Sequence, residues 1–67
     1  MSFRKGDTVE TVLSLGGFTT REEGTILMVK KGIAYVDNGP GNDPTPYDAE
    51  SGRYTLDPGS RRIEKVS

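Results

Sequence analysis

Apolar residues in this chain recur at strand intervals and are interrupted before a helical face can build up. Residues Thr8 to Leu15 alternate around Val9 and Thr11 before Val12, Leu13 and Leu15, which predicts a first strand with a bend or bulge near its middle. Gly16-Gly17 ends it, and Phe18 then falls in a Gly/Thr-rich loop. The run from Gly24 to Val29 is the strongest apolar stretch, and Ile33 to Val36 follows after Lys30-Lys31-Gly32. That spacing predicts a tight hairpin in which Gly32 supplies the positive φ. A two-residue Lys31-Gly32 turn sets Val29 against Ala34 and Leu27 against Val36. With Lys30 in the loop, Val29 meets Ile33 and Leu27 meets Tyr35. Either register turns Leu27 and Val29 to the buried face.

The stretch 38–46 collects three prolines and two glycines and reads as a loop, since proline removes donors and glycine adds conformational entropy. Tyr47 to Asp57 carries a second hairpin signal. With Ser51-Gly52 as its turn, Tyr47, Ala49, Tyr54 and Leu56 share one face while Asp48, Glu50, Arg53 and Thr55 share the other. Residues 57–60 make the next turn, and 61–66 alternate as a last strand with Ile63, and Val66 beyond it, inward. Five short strands in this order predict an all-β fold, a small five-stranded barrel of the SH3-like type, because closure removes the exposed edges of a flat sheet. Its expected core is Val9, Leu13, Leu27, Val29, Val36, Leu56 and Ile63.

Length and composition narrow the function. The 67 residues make a single domain, 1–67; a chain of this size buries about 60% of its unfolded surface, which leaves little room for a large catalytic cleft. Cysteine and histidine are both absent, so disulfide staples, thiolate zinc sites and the usual imidazole base are excluded. Nine basic residues against ten acidic ones give a net charge of −1, so attraction to nucleic acid requires the basic groups to share a face. No apolar stretch approaches the roughly 20 residues of a membrane span, and the first residues carry no apolar signal segment. The expectation is a soluble, cytoplasmic protein without membrane contact.

The segment Phe3 to Val9 with its Gly6-Asp7, followed by Gly17-Phe18, Glu23-Gly24-Thr25-Ile26 and Tyr35-Val36, resembles the opening of SH3-like barrels of the KOW and Tudor kind. In that family Gly-Asp before the first strand forms a turn, and a later glycine begins the second strand after a surface loop. The resemblance spans roughly residues 3–36. It implies a barrel that binds RNA, DNA, proteins or methylated side chains, and a role as an accessory module. Where KOW segments carry a further glycine after the aromatic residue, this chain has Thr19, Thr20, Arg21 and Glu22; Glu22 and Glu23 would oppose phosphate there.

Candidate chemistry is sparse. Asp37, Asp43 and Asp48 could approach a hard cation, but their spacing matches no calcium loop and acidic residues near turns commonly cap backbone donors. Thr19 and Thr20 lack a base to activate them. The chain therefore reads as no enzyme, with no cofactor and no metal. Two binding readings remain. Protein recognition would use Phe18, Pro40, Pro44, Pro46 and Tyr47, aromatic rings held beside constrained loops. Nucleic-acid recognition would use the pairs Arg4-Lys5, Lys30-Lys31 and Arg61-Arg62 on one track, with Lys65 or Arg53 extending it, Tyr35 as a stacking ring, and Glu22 and Glu23 turned away. A methyl-ammonium cage would need two of Phe18, Tyr35, Tyr47 and Tyr54 around one cavity. The expected partner is a macromolecule, a protein ahead of RNA or DNA, and homo-oligomerisation is a further route to stability.

Overall fold

The computed structural model describes residues 3–66 and is all-β. Five antiparallel strands, β1 (Thr8–Leu15), β2 (Phe18–Lys30), β3 (Ile33–Val36), β4 (Thr45–Asp48) and β5 (Arg61–Lys65), form one curled sheet in the order β4-β3-β2-β1-β5. Strand β2 belongs to both halves: Phe18 to Thr25 pairs with β1, and Ile26 to Lys30 pairs with β3. The sheet curls far enough for a short segment to link its edges, Tyr54 opposing Tyr47 of β4 and Arg53 opposing Arg62 of β5.

The glycine pair does more than end a strand. Gly16 and Gly17 both take positive φ, 53° and 88°, and a two-residue turn of this kind matches the right-handed twist of the strands it joins. β2 consequently starts at Phe18, and the segment expected as a Gly/Thr loop through Glu22 and Glu23 is strand. Its first six residues are exposed, so no alternating apolar face marked it in the sequence. The expected irregularity in β1 is also absent, for β1 pairs with β2 and β5 without interruption. Val9 and Val12 are both buried because β1 is covered on its two sides. Val9 joins the core, whereas Val12 lies between Arg21 of β2 and Arg62 of β5. The apolar stems of these arginines cover it while Arg21 reaches Glu10 at 2.9 Å and Glu64 at 3.1 Å, and Arg62 reaches Glu64 at 2.8 Å.

The bulge sits instead in β2. Ile26 opposes Val36 and Met28 opposes Tyr35, which leaves Leu27 as an extra residue. Ile26 is thereby the buried position of this run, Leu27 is displaced outward with 43% of its surface exposed, and Val29 beyond the bulge faces Ala34 without being buried. The β2–β3 turn is Lys31-Gly32, with φ of 52° and 77°, and Val29 does oppose Ala34. The core comprises Phe3, Val9, Ile26, Ala34, Val36, Tyr47, Ala49 and Ile63, with Tyr54 packed against it. Of the expected core, Leu27, Val29 and Leu56 are exposed and Leu13 is only half-buried.

The proline-rich loop ends earlier than its composition suggests, because Thr45 and Pro46 already belong to β4. The Pro46 carbonyl accepts from Thr55 N–H at 3.3 Å, so its backbone polar side faces away from β3 and the missing donor costs that ladder nothing. The following turn is built on Asp48, whose carboxylate accepts the Glu50 and Ser51 amides at 2.8 and 3.0 Å while its carbonyl accepts Gly52 N–H at 2.8 Å. The loop therefore spans 49–52 in place of the expected two-residue Ser51-Gly52 turn, which brings Tyr54 opposite Tyr47 instead of opposite Ala49, a slip of two residues. Such a slip preserves which face points inward, so Tyr47, Ala49 and Tyr54 still meet, but the chain bends at Thr55 and Leu56, and Leu56 is 75% exposed. Ile63 is buried as expected, whereas Val66 lies beyond β5 and is 41% exposed.

Candidate functional site

The β1–β2 hairpin reaches beyond the part of the sheet that packs the core. At its tip Leu15 and Phe18 oppose one another across the glycine turn, and Phe18 is 78% exposed. One flank of this hairpin is open. β3 joins β2 only from Ile26 onward, and among the described residues no strand pairs with the outer side of Phe18 to Gly24. The direction of the free groups follows from neighbouring bonds. Ser14 N–H donates to Ser60 O on the β5 side, so alternation turns Val9, Thr11, Leu13 and Leu15 toward β2 and their partners Phe18, Thr20, Glu22 and Gly24 toward β1. Thr19, Arg21, Glu23 and Thr25 therefore face outward. Only the last of these is engaged there, its carbonyl accepting Asp37 N–H at 2.9 Å.

Beside this edge lies a cavity of about 120 Å³, bounded by Thr20, Glu22 and Glu23 on one side, Asp37 on another and Arg61 with Tyr47 below. Arg61 is placed by β5, opposite Leu13, and its guanidinium carbon stands 4.7 Å from the Tyr54 ring centre. The cation–π contact and its half-burial fix the side chain. Its Nε is buried without an acceptor, and among the described residues no carboxylate stands within ion-pairing distance of Arg61. The Tyr47 phenol is pushed above its ordinary pKa by burial, against the opposing pull of Arg61 and Thr11 beside it. The cavity thus offers a donor-rich floor and an acidic rim.

The protein-binding candidates separate in space. Phe18 is displayed at the hairpin tip, and Pro40 and Pro44 lie exposed in the loop after β3. Pro46 is half-buried in β4, and Tyr47 is 1% exposed, so its ring is a core element and only its hydroxyl region borders the cavity. Tyr47 and Tyr54 pack on each other with ring centres 5.6 Å apart, and Arg61 already occupies a face of Tyr54. Tyr35 pairs with Met28 and Pro46, and Phe18 stands on a different hairpin, so the four rings do not surround one space.

The basic pairs form two groups. Phe3 N–H donates to Ala49 O and Ala49 N–H to Gly32 O, which ties Arg4 and Lys5 to the same end as Lys30 and Lys31. Lys65, opposite Val9, joins this end 3.6 Å from Asp7 and 5.8 Å from the Phe3 ring centre. Arg61 and Arg62 lie opposite Leu13 and Val12, about 13 Å further along β1 at the usual strand rise. Glu22 shares the cavity with Arg61, contrary to the expectation that it turns away from the basic residues, while alternation puts the Glu23 side chain on the face that carries Arg21.

Asp37 and Asp48 serve turns. Asp37 accepts Gly39 N–H at 3.0 Å, and the two amides bound to Asp48 hold its carboxyl below the usual range. Among the described residues no group of three or more potential metal ligands comes together. No helix there is long and apolar enough to cross a membrane. Arg61 as a cavity floor was not separable in sequence from its neighbour Arg62, because the distinction arises from strand parity and from the Tyr54 ring. Compared with family models, curated proteins and solved structures, the chain matches none.

Proposed function

We propose that this chain is a non-catalytic module, an SH3-like barrel in its finer classification, that regulates or recruits another protein by binding it at the β1–β2 hairpin. The observation that carries this is Phe18, a large ring left 78% exposed opposite Leu15 at the end of a two-residue turn. An aromatic anchor on a hairpin loses little conformational entropy when it is covered. Support also comes from the open strand edge beside it and from a net charge of −1, which gives little general attraction to phosphate.

Affinity capture from the native cell, run in parallel with Phe18→Ala, tests this reading. The expected result is loss of one reproducible protein partner while the circular dichroism and urea midpoint of the variant stay unchanged. Equal capture by parent and variant would remove the hairpin tip as the interface.

A further inference from the structure

We infer that the open edge of β2 accepts an extended segment of the partner protein as an added strand, and that an aspartate or glutamate of that segment enters the cavity to meet Arg61. This rests on the protein-binding reading and specifies its chemistry. Two independent features converge. Thr19, Arg21 and Glu23 present backbone donors and acceptors to an unoccupied flank, the requirement for strand addition. The cavity beside that flank is lined by Arg61, which has no carboxylate within ion-pairing distance among the described residues. A half-buried guanidinium without an anion beside it gains a charge-assisted hydrogen bond from a carboxylate that enters. At about 120 Å³, the space exceeds several-fold the roughly 10–15 Å³ that one water needs on the same measure, so a side chain can enter.

The rim decides what delivers the carboxylate. Glu22 and Asp37 border the cavity with one arginine, so a free anion arriving from solvent meets net negative charge. A carboxylate borne on a strand arrives through main-chain hydrogen bonds, and lysine or arginine at flanking positions of that strand pairs with the rim. A second copy of this chain is a poorer occupant. Self-pairing about Arg21 sets Arg21 against Arg21, and about Glu22 it sets two Glu22 together on the cavity face while the Arg21–Glu23 pairs it makes fall on an arginine already held by Glu10 and Glu64.

The test uses the whole chain with ¹⁵N labelling. In the free protein the amides of Thr19, Arg21 and Glu23 should exchange with solvent much faster than those of Thr20 and Glu22. The probe is a terminally blocked nonapeptide of alternating valine and threonine with a central glutamate and a lysine at each end. Saturable binding should protect the Thr19, Arg21 and Glu23 amides. Replacing the probe's central glutamate by glutamine should weaken it about tenfold or more, the range for losing a hydrogen bond to a charged group, and N-methylation of its edge-facing amides should abolish binding. Thr19→Pro, which removes only an outward donor, should also weaken binding while the urea midpoint holds. Arg61→Gln should make the glutamate and glutamine probes equivalent. Absence of binding, or binding indifferent to N-methylation and to the central glutamate, overturns strand addition. Partner capture that depends on Phe18 but leaves the Thr19, Arg21 and Glu23 amides unprotected also overturns it and leaves the protein-binding reading standing. Dimerisation through β2 in place of peptide binding overturns it as well.

Discussion

Substituting Gly52 by alanine should cost this protein a large share of its stability. Gly52 is buried, has φ of 80°, and sits where the chain returns from the Asp48 turn to lie against β5. Its carbonyl accepts Ile63 N–H at 2.7 Å, and its own N–H donates to Asp48 O at 2.8 Å. A Cβ built on this backbone would stand 2.6 Å from Ile63 O and 3.1 Å from Phe3 Cε2. The first neighbour is backbone of β5, so relief requires the linking segment to part from the sheet edge. Positive φ costs an L-residue about 1–2 kcal/mol, and overpacking adds typically 1–3 kcal/mol. Together these give roughly 2–5 kcal/mol, against a total of about 3–10 kcal/mol at the usual stability per residue for a chain of this length. Urea unfolding followed by circular dichroism measures the difference. Gly59→Ala is the control, because its nearest contact would be 3.9 Å from the Asp57 carboxylate, and it should stay within about 0.5 kcal/mol of the parent. Equal midpoints for the two variants would refute the packing of residues 52–54 between β4 and β5.

Ile26→Ala should destabilise by about 2–5 kcal/mol and Leu27→Ala by no more than about 1 kcal/mol, since the bulge buries the first and displaces the second; the reverse order in urea would reject the bulge. Acid should weaken the fold through Glu64, held low first by Arg21 and then by Arg62, and through Asp48, held low by the Ser51 and Glu50 amides. Groups with lowered folded pKa stabilise above their unfolded values, so urea midpoints should drop as pH falls below about 4, and an unchanged midpoint at about pH 3 would contradict these pairings. Tyr47 has the opposite sign: burial raises its pKa, so its contribution is complete below about pH 10 and is lost as pH rises through the raised value. Tyr47→Phe should blunt that alkaline loss, and an identical loss in the variant would assign it elsewhere. Lys30→Ala/Lys31→Ala should change RNA and DNA titrations little at moderate salt, given the separation of the basic groups; a clear fall in both affinity and salt slope would revive nucleic-acid recognition at the Arg4, Lys5, Lys30 and Lys31 end.

Local chemistry made much of this fold legible, and its failures have a common physical origin. The bounds of β1, the Lys31-Gly32 turn, the facing of Val29 and Ala34, and the inward set of Tyr47, Ala49 and Tyr54 follow from period-two alternation and turn residues acting within about ten positions. Leu27 misled because a period-two pattern assumes an unbroken ladder, and a bulge inserts one residue without any local marker in the run 24–29. Val12 misled for another reason: its cover is supplied by the stems of Arg21 and Arg62, which count as polar in any hydropathy pattern. Leu56 was assigned inward by a two-residue turn at Ser51-Gly52, whereas the chain turns over residues 49–52 on the Asp48 carboxylate.

The same reasoning explains why the candidate site could not be read along the chain. Phe18 was identified as an anchor from its setting, but the segment after it was expected to be loop, and a loop has no edge to offer. The edge exists because β2 is thirteen residues long and changes partner near its bulge. β3 supplies only four residues and cannot reach back along Phe18 to Gly24. The cavity follows from that mismatch in strand lengths, and Arg61 reaches it because the uninterrupted pairing of β1 with β5 sets Arg61 opposite Leu13 while Tyr54 provides a ring for the guanidinium to rest on. Lengthening β3 would fill the flank of β2 that the partner strand is proposed to occupy. A variant that extends β3 by hairpin-compatible residues before Asp37 should protect the outward amides of β2 and block peptide binding together, whereas continued binding with those amides protected would place recognition on the Phe18 tip alone.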